Sequence, residues 1–211
     1  KHRKFLYADS AFLQMMGYEL SKGDITTALA EPFTAVITEK YATHYFGKED
    51  PIGKMLRMQD DDYNNELVKV TGVVKDSDQL SHLNFDVLFS YKTLFARGEW
   101  ATGRYHESWQ RNDLSTYMRV QPGTDIAALQ TKFDDIVQKF NPALAERNQK
   151  DLLELQPIKS IHLTSNLSEE AEPNSDEKIV NFLALIGIFV LLIAWINYIN
   201  LSTAKAMERA R

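Results

Sequence analysis

FGKEDPIGK, residues 46 to 54, is the stretch whose residue types come nearest to a chemistry. Two glycines with a lysine after the second suggest a phosphate-binding loop. In such a loop, backbone N–H groups curl around a phosphate and a Ser or Thr hydroxyl after the lysine reaches Mg²⁺. The geometry needs four residues between the glycines. Here five separate Gly47 from Gly53, and Met55, which cannot ligate a metal, follows Lys54. Pro51 removes one donor from inside the cradle. The same residues instead predict a helix ending at Gly47, a turn at Asp50-Pro51 and a strand entered from Gly53. The chain is expected neither to bind nor to hydrolyse ATP.

Other constellations fail in similar ways. In DDDYNNELVKV, residues 60 to 70, Asp60, Asp62 and Asn64 alternate as in a calcium loop. Its sixth position is Asn65 rather than Gly and its twelfth is Thr71 rather than Glu, so a solvated hairpin turn is expected. The five histidines, His2, His44, His82, His106 and His162, have no metal-ligand spacing. There is no cysteine, which excludes a thiol nucleophile, disulfides and zinc–thiolate sites. No Gly-x-Ser-x-Gly elbow is present. Asp134-Asp135 on an amphipathic helix and Glu169-Glu170 on a linker read as solvated surface. Trp100 and Trp109 flank a polar segment and could line a binding surface, but a core placement is favoured. No catalytic, cofactor-binding or metal residue is assigned, and no cofactor is expected.

A net charge of -5 argues against a nucleic-acid surface, which needs a basic face. With 211 residues, 44% of them hydrophobic, the chain can bury a core in one or two domains. It opens on Lys1 within a strand-like stretch and shows no signal peptide, so the natural protein is expected to extend upstream. Residues 179 to 200, IVNFLALIGIFVLLIAWINYIN, carry no charge. At about 1.5 Å per residue they reach the roughly 30 Å of a bilayer core, with Trp195 and Tyr198 near one interface. A transmembrane helix is predicted there. The acidic SEEAEPNSDEK precedes it, and Lys205, Arg209 and Arg211 follow. The positive-inside rule then places 1 to 178 outside and 201 to 211 at the start of a cytoplasmic segment.

The rest of the pattern predicts an α+β fold. KFLYAD reads as a strand. SAFLQMMGYEL reads as a helix capped by Ser10, with Phe12, Met15 and Met16 on one face. SKGD turns the chain. TAVI is a strand running into Thr38, the N-cap of EKYATHYF. MLRM and ELVKVTGVV are strands, the second alternating Val68, Val70 and Gly72 with Lys69 and Thr71. NFDVLFSYKTLF mixes strand and helix character. STYMRVQ is a strand, PGTD a turn, and Ile126, Leu129, Phe133, Ile136, Val137 and Phe140 fall at helical spacing. LLELQPIKSIHL supplies a closing strand or two, and TSNLSEEAEPNSD is a polar linker.

Taken in order, YADSAFLQMMGYELSKGD, ALAEPFTAVITEKYATHYFGKEDPIGK and KVTGVVKDSDQLSHLNFDVLFSY resemble the MacB-like periplasmic core domain. The closing LQPIKSIHLTSNL resembles the same domain, and the helix ending INYINLSTAKAMERAR resembles the second membrane helix of FtsX/MacB-family ABC transporter permeases; the stretch 97 to 113 departs from the pattern. The resemblance implies a porter-like part at 1–27 and 112–165, with a Sabre-like insert at 28–111. It implies a bacterial inner-membrane permease with four membrane helices, of which this chain holds the second. Its implied partners are an ABC ATP-binding subunit, a second permease copy, and a periplasmic adaptor or substrate protein. The implied role is mechanotransmission, serving export, lipoprotein extraction or control of cell-wall hydrolases. The competing reading is an extracytoplasmic ligand-binding sensor on a single-helix receptor.

Overall fold

The strand that the alternation marks best, Leu67–Val74, organises the sheet. This computed structural model describes residues 4–58, 66–76, 83–96, 114–140, 153–161 and 177–209. In chain order its elements are β1 (Phe5–Ala8), α1 (Phe12–Met16), β2 (Leu20–Gly23), β3 (Thr34–Thr38), α2 (Glu39–Phe46), β4 (Met55–Arg57), β5 (Leu67–Val74), β6 (Val87–Ser90), α3 (Lys92–Ala96) and α4 (Ile126–Phe140). A 3-10 turn at Ile158–Ser160 and α5 (Glu177–Arg209) follow. The chain divides into two units, Lys1–Glu154 and Leu155–Arg211.

Within the first unit the strand order is β1-β6-β3-β5-β2, and β4 also pairs with β5. β1 runs parallel to β6, and β3 parallel to β5; the other pairs are antiparallel. Strands from 1–27 and from 28–111 therefore share one sheet. β3 is buried without a break from Thr34 to Ile37, because it is covered on both faces, as central strands of layered folds are. Along it Val36 belongs to one core, with Leu13, Leu29, Val74 and Leu88. Ala35 and Ile37 belong to the other, with Tyr41, Val68, Val70 and Phe89. Helix α1 and the loop after β2 supply the first face; α2 supplies the second.

Several expectations hold. β1, β4 and β5 form where predicted, and Val68 and Val70 are fully buried while Lys69 is exposed. The Thr38 hydroxyl accepts the Tyr41 N–H at 3.2 Å, capping α2. NFDVLFSYKTLF resolves into β6 and α3, joined at Tyr91.

Others are corrected. Ser10 does not cap α1: the helix starts at Phe12, Ala11 is its helical-region N-cap residue, and no side chain caps it. The Asp9 carboxylate takes the Ala11 N–H instead, at 3.0 Å. Phe12 and Leu13, not Met15 and Met16, are buried. α1 ends because Gly17 adopts φ 75, which lets the Tyr18 N–H reach the Leu13 carbonyl at 2.9 Å. SKGD is not a turn, since Ser21, Lys22 and Gly23 lie in β2, added to the edge of β5. STYMRVQ forms no strand, and neither do the described residues of LLELQPIKSIHL, 153 to 161. The PGTD turn closes with Thr124 N–H on the Gln121 carbonyl at 3.2 Å. In α4, Val137 is buried, whereas Ile126, Ile136 and Phe140 are exposed.

Candidate functional site

The block FGKEDPIGK is built as a clasp. The Gly47 N–H closes α2 on the Thr43 carbonyl at 3.0 Å, and the Glu49 N–H donates to the Phe46 carbonyl. Asp50 receives the Ile52 N–H on its carboxylate at 3.2 Å, making the turn around Pro51. The Gly53 N–H donates to the Val70 carbonyl and the Lys54 carbonyl accepts the Val70 N–H, both at 2.8 Å. Lys54 pairs with the Glu49 carboxylate and stands 5.2 Å from the Phe46 ring centroid. The block thus directs the N–H groups of Gly47, Glu49, Ile52, Gly53 and Lys54 to protein oxygens, and joins α2 to the start of β4.

A second set of polar contacts pins the loop between β2 and β3. Ser90 Oγ donates to the Leu29 carbonyl at 2.9 Å inside the core. Thr93 Oγ1 accepts the Phe33 N–H at 2.9 Å, and the Phe33 carbonyl accepts the Lys69 N–H at 2.8 Å. Together they hold Phe33 at φ 55, a conformation costly for a bulky side chain. Thr71, the extra residue in the bulge of β5 against β3, turns its hydroxyl to the Ala35 carbonyl at 3.1 Å. Sequence reading passed over these hydroxyls, although a Ser or Thr inside an apolar strand such as VLFS or VKVTGVV is itself a signal of a buried polar tie.

At the start of α2 two carboxylates reciprocate. Glu39 accepts the Asp76 N–H at 3.1 Å, and Asp76 accepts the Lys40 N–H at 3.4 Å. Hydrogen bonds from the Ser21 hydroxyl and the Asp76 N–H, with the Lys75 charge nearby, hold Glu39 below its ordinary value of 4.5. A lowered carboxylate contributes stability that is complete above the ordinary value and lost as pH falls through the lowered one. Acidification from neutral pH is therefore expected to weaken the domain below about pH 4.5. Glu39→Gln is expected to flatten part of that acid limb by lowering the neutral plateau, since the contribution lost in acid is then missing at neutral pH as well. A urea midpoint series against pH checks this; an unchanged acid slope in the variant would remove Glu39 from the account.

Of the sequence-flagged residues, His44 lies exposed on α2 beside Tyr45, with ring centroids 5.4 Å apart. His2, His82, His106, His162, Asp60 to Asn65, Glu169-Glu170, Trp100 and Trp109 lie outside the described residues. Among the described residues no three His, Asp or Glu side chains gather where they could hold a metal. Asp134 is half-buried on α4, 3.4 Å from Gln130 Nε2.

The second unit carries the other functional element. Helix α5 runs over 33 residues, and its stretch Lys178–Met207 is long and apolar enough to cross a membrane. Phe182, Leu191, Trp195 and Tyr198 are all more than 60% exposed on it, as suits a helix solvated by lipid. The helix extends past the expected end at 200, continuing through Arg209.

The family model of the MacB-like periplasmic core domain matches residues 4–136 of the 211. The chain belongs to that family. A crystal structure of a domain of a candidate permease protein from Porphyromonas gingivalis is similar to it at 25% identity and TM-score 0.48, covering 64% of this chain and 58% of that one. The periplasmic region of MacB from Actinobacillus actinomycetemcomitans is similar at 13% identity and TM-score 0.43, covering 72% of this chain and 60% of that one. The chain thus spans less than two thirds of the length of these solved structures. No curated protein matches it. A MacB-like periplasmic domain followed by a membrane-length helix makes this a membrane-anchored protein with an extracytoplasmic domain. The α+β expectation and the resemblance are both borne out.

Proposed function

We propose that the chain is the extracytoplasmic domain and second membrane helix of a permease subunit of an ABC transporter. It resides in a bacterial inner membrane, with residues 1–178 in the periplasm. ATP is hydrolysed on a partner ATP-binding subunit, and the permease, paired with a second copy, carries the resulting movement outward. That movement serves export, lipoprotein extraction or another mechanical task on an adaptor or substrate protein outside. Within the outer domain the porter-like part spans 1–27 and 112–165, and the Sabre-like insert spans 28–111. The observation that carries this reading is the family match over residues 4–136 followed, in the same chain, by an apolar helix of membrane length. The arrangement needs no catalytic group in the chain itself, because the chemistry belongs to the partner.

Reading the gene beyond Arg211 tests the assignment: a permease continues into two further membrane helices, whereas a receptor continues into a soluble helical transmitter. The orientation has its own test. In the full-length protein, Ser168→Cys is expected to label with a membrane-impermeant thiol reagent in intact cells, and Ala210→Cys only after permeabilisation. The support is the acidic stretch before the helix and Lys205, Arg209 and Arg211 after it. Labelling in the opposite sense would invert the topology.

A further inference from the structure

The two ends of the described sheet are held by different physics. β1 is anchored by apolar contacts. Leu6 and Ala8 join the first core, while Phe5 and Tyr7 pack on Phe89 with ring centroids 5.9 and 5.5 Å away. β2, LSKG, offers that core Leu20 alone, and its other three residues are exposed. Its ladder to β5 is interrupted by a bulge at Ser21, between the pairs Leu20↔Val74 and Lys22↔Val73. Gly23, at φ 91, runs so close to β5 that a Cβ there would lie 2.3 Å from the Thr71 carbonyl oxygen. No side chain can be added at that end to strengthen the hold.

Charged contacts take the place of apolar ones. Glu19, just before β2, pairs with Lys75 at 2.7 Å. Lys22 pairs with Asp50 at 3.1 Å. The Ser21 hydroxyl donates to the Val73 carbonyl of β5 at 3.4 Å. The two ion pairs reach different elements, the exit of β5 and the loop before β4. Their side chains are solvent-facing, so each pair is individually weak and sensitive to screening.

We propose that β2 is a charge-latched edge strand that opens as a unit while the rest of the sheet stays closed. Apolar anchoring is not weakened by salt, whereas exposed ion pairs are. Raising ionic strength therefore loosens β2 and leaves β1, β3 and β6 in place. The opening begins after Tyr18, whose ring remains packed between Phe12 and Phe85 with centroids 5.9 and 5.4 Å away. Local openings of this kind draw on elements with few buried contacts. The inference needs only the fold and stands apart from the transport reading.

Amide hydrogen exchange on the full chain in detergent tests it. Between about 10 mM and about 1 M salt, exchange at Leu20 to Gly23 is expected to accelerate about fivefold or more relative to Val36 and Leu88. In the Lys22→Gln/Lys75→Gln double variant, the same amides are expected to exchange fast already at low salt, with the salt response gone. Wild-type β2 amides that keep pace with Val36 and Leu88 at both salts would overturn the proposal. A salt response that persists undiminished in the double variant would overturn it as well. If the double variant fails to fold, which Val36 and Leu88 would report, the wild-type salt series decides alone.

Discussion

On the proposed permease reading, a Gly-Ser segment of about six residues, inserted between Asn174 and Ser175, is expected to abolish the transport or extraction phenotype of the assembled complex while its ATPase activity survives. The helix on one side of that point is stiff. Over 33 residues at about 1.5 Å each, α5 measures about 50 Å, longer than the roughly 30 Å of a bilayer core. It contains no proline, and Gly187 is its one glycine. A rod of this kind passes a displacement at its cytoplasmic end to its outer end with little loss. The connection onward runs through the polar linker containing Pro173. A flexible segment of about six residues has an end-to-end distance of about 13 Å and no preferred direction, so it absorbs a displacement instead of passing it on. On the proposed reading the ATP-binding subunit docks on the cytoplasmic side, which the insertion leaves intact. An undiminished phenotype with the insertion would make rigid coupling wrong and a tethering or ligand-binding role the better account.

The second large effect is on stability. Leu88 is fully buried on β6, opposite Leu6 on one neighbouring strand and Val36 on the other. Leu88→Ala removes most of a side chain from the first core and leaves a cavity on that face of the sheet. The cost is expected to be about 2 to 5 kcal/mol, within the range for buried leucines. Leu191→Ala, at a site 70% exposed on α5, is the control. It is expected to leave the outer domain's unfolding within about 0.5 kcal/mol of wild type. Urea unfolding followed by near-ultraviolet circular dichroism reads both. A cost below about 1 kcal/mol for Leu88→Ala would contradict the core as described.

The sequence alone settled what depends on local pattern. The alternation in ELVKV fixes that Val68 and Val70 enter the core while Lys69 stays out, because a strand has only two faces. Past the bulge at Thr71 it no longer decides, and Gly72, Val73 and Val74 are all buried. Thr38 before EKYATHYF and Gly47 after it mark both ends of α2, since a helix leaves backbone groups there that nearby residues must satisfy. In FGKEDPIGK the residues announced a helix end at Gly47, a turn at Asp50-Pro51 and a strand entered from Gly53, and the clasp follows from them. The uncharged run from Ile179 to Asn200 announced a membrane helix by length and composition.

Pairing, by contrast, belonged to the tertiary structure. Ser21, Lys22 and Gly23 have the composition of a turn, and they became a strand because β5 offered a free edge, with Asp50 pairing Lys22 and the Val73 carbonyl accepting the Ser21 hydroxyl. STYMRVQ has the better strand pattern, yet it forms no strand. A strand exists only when a neighbour supplies the other half of its hydrogen bonds, and no local pattern specifies that neighbour. Ser10 does not cap α1 because the chain enters the helix through Ala11 in a helical conformation, with the Ala11 N–H already held by the Asp9 carboxylate. The strand order β1-β6-β3-β5-β2 mixes parallel and antiparallel neighbours across long sequence separations. Its choice rests on which apolar faces can be buried together, a property of the whole sheet that no single segment carries.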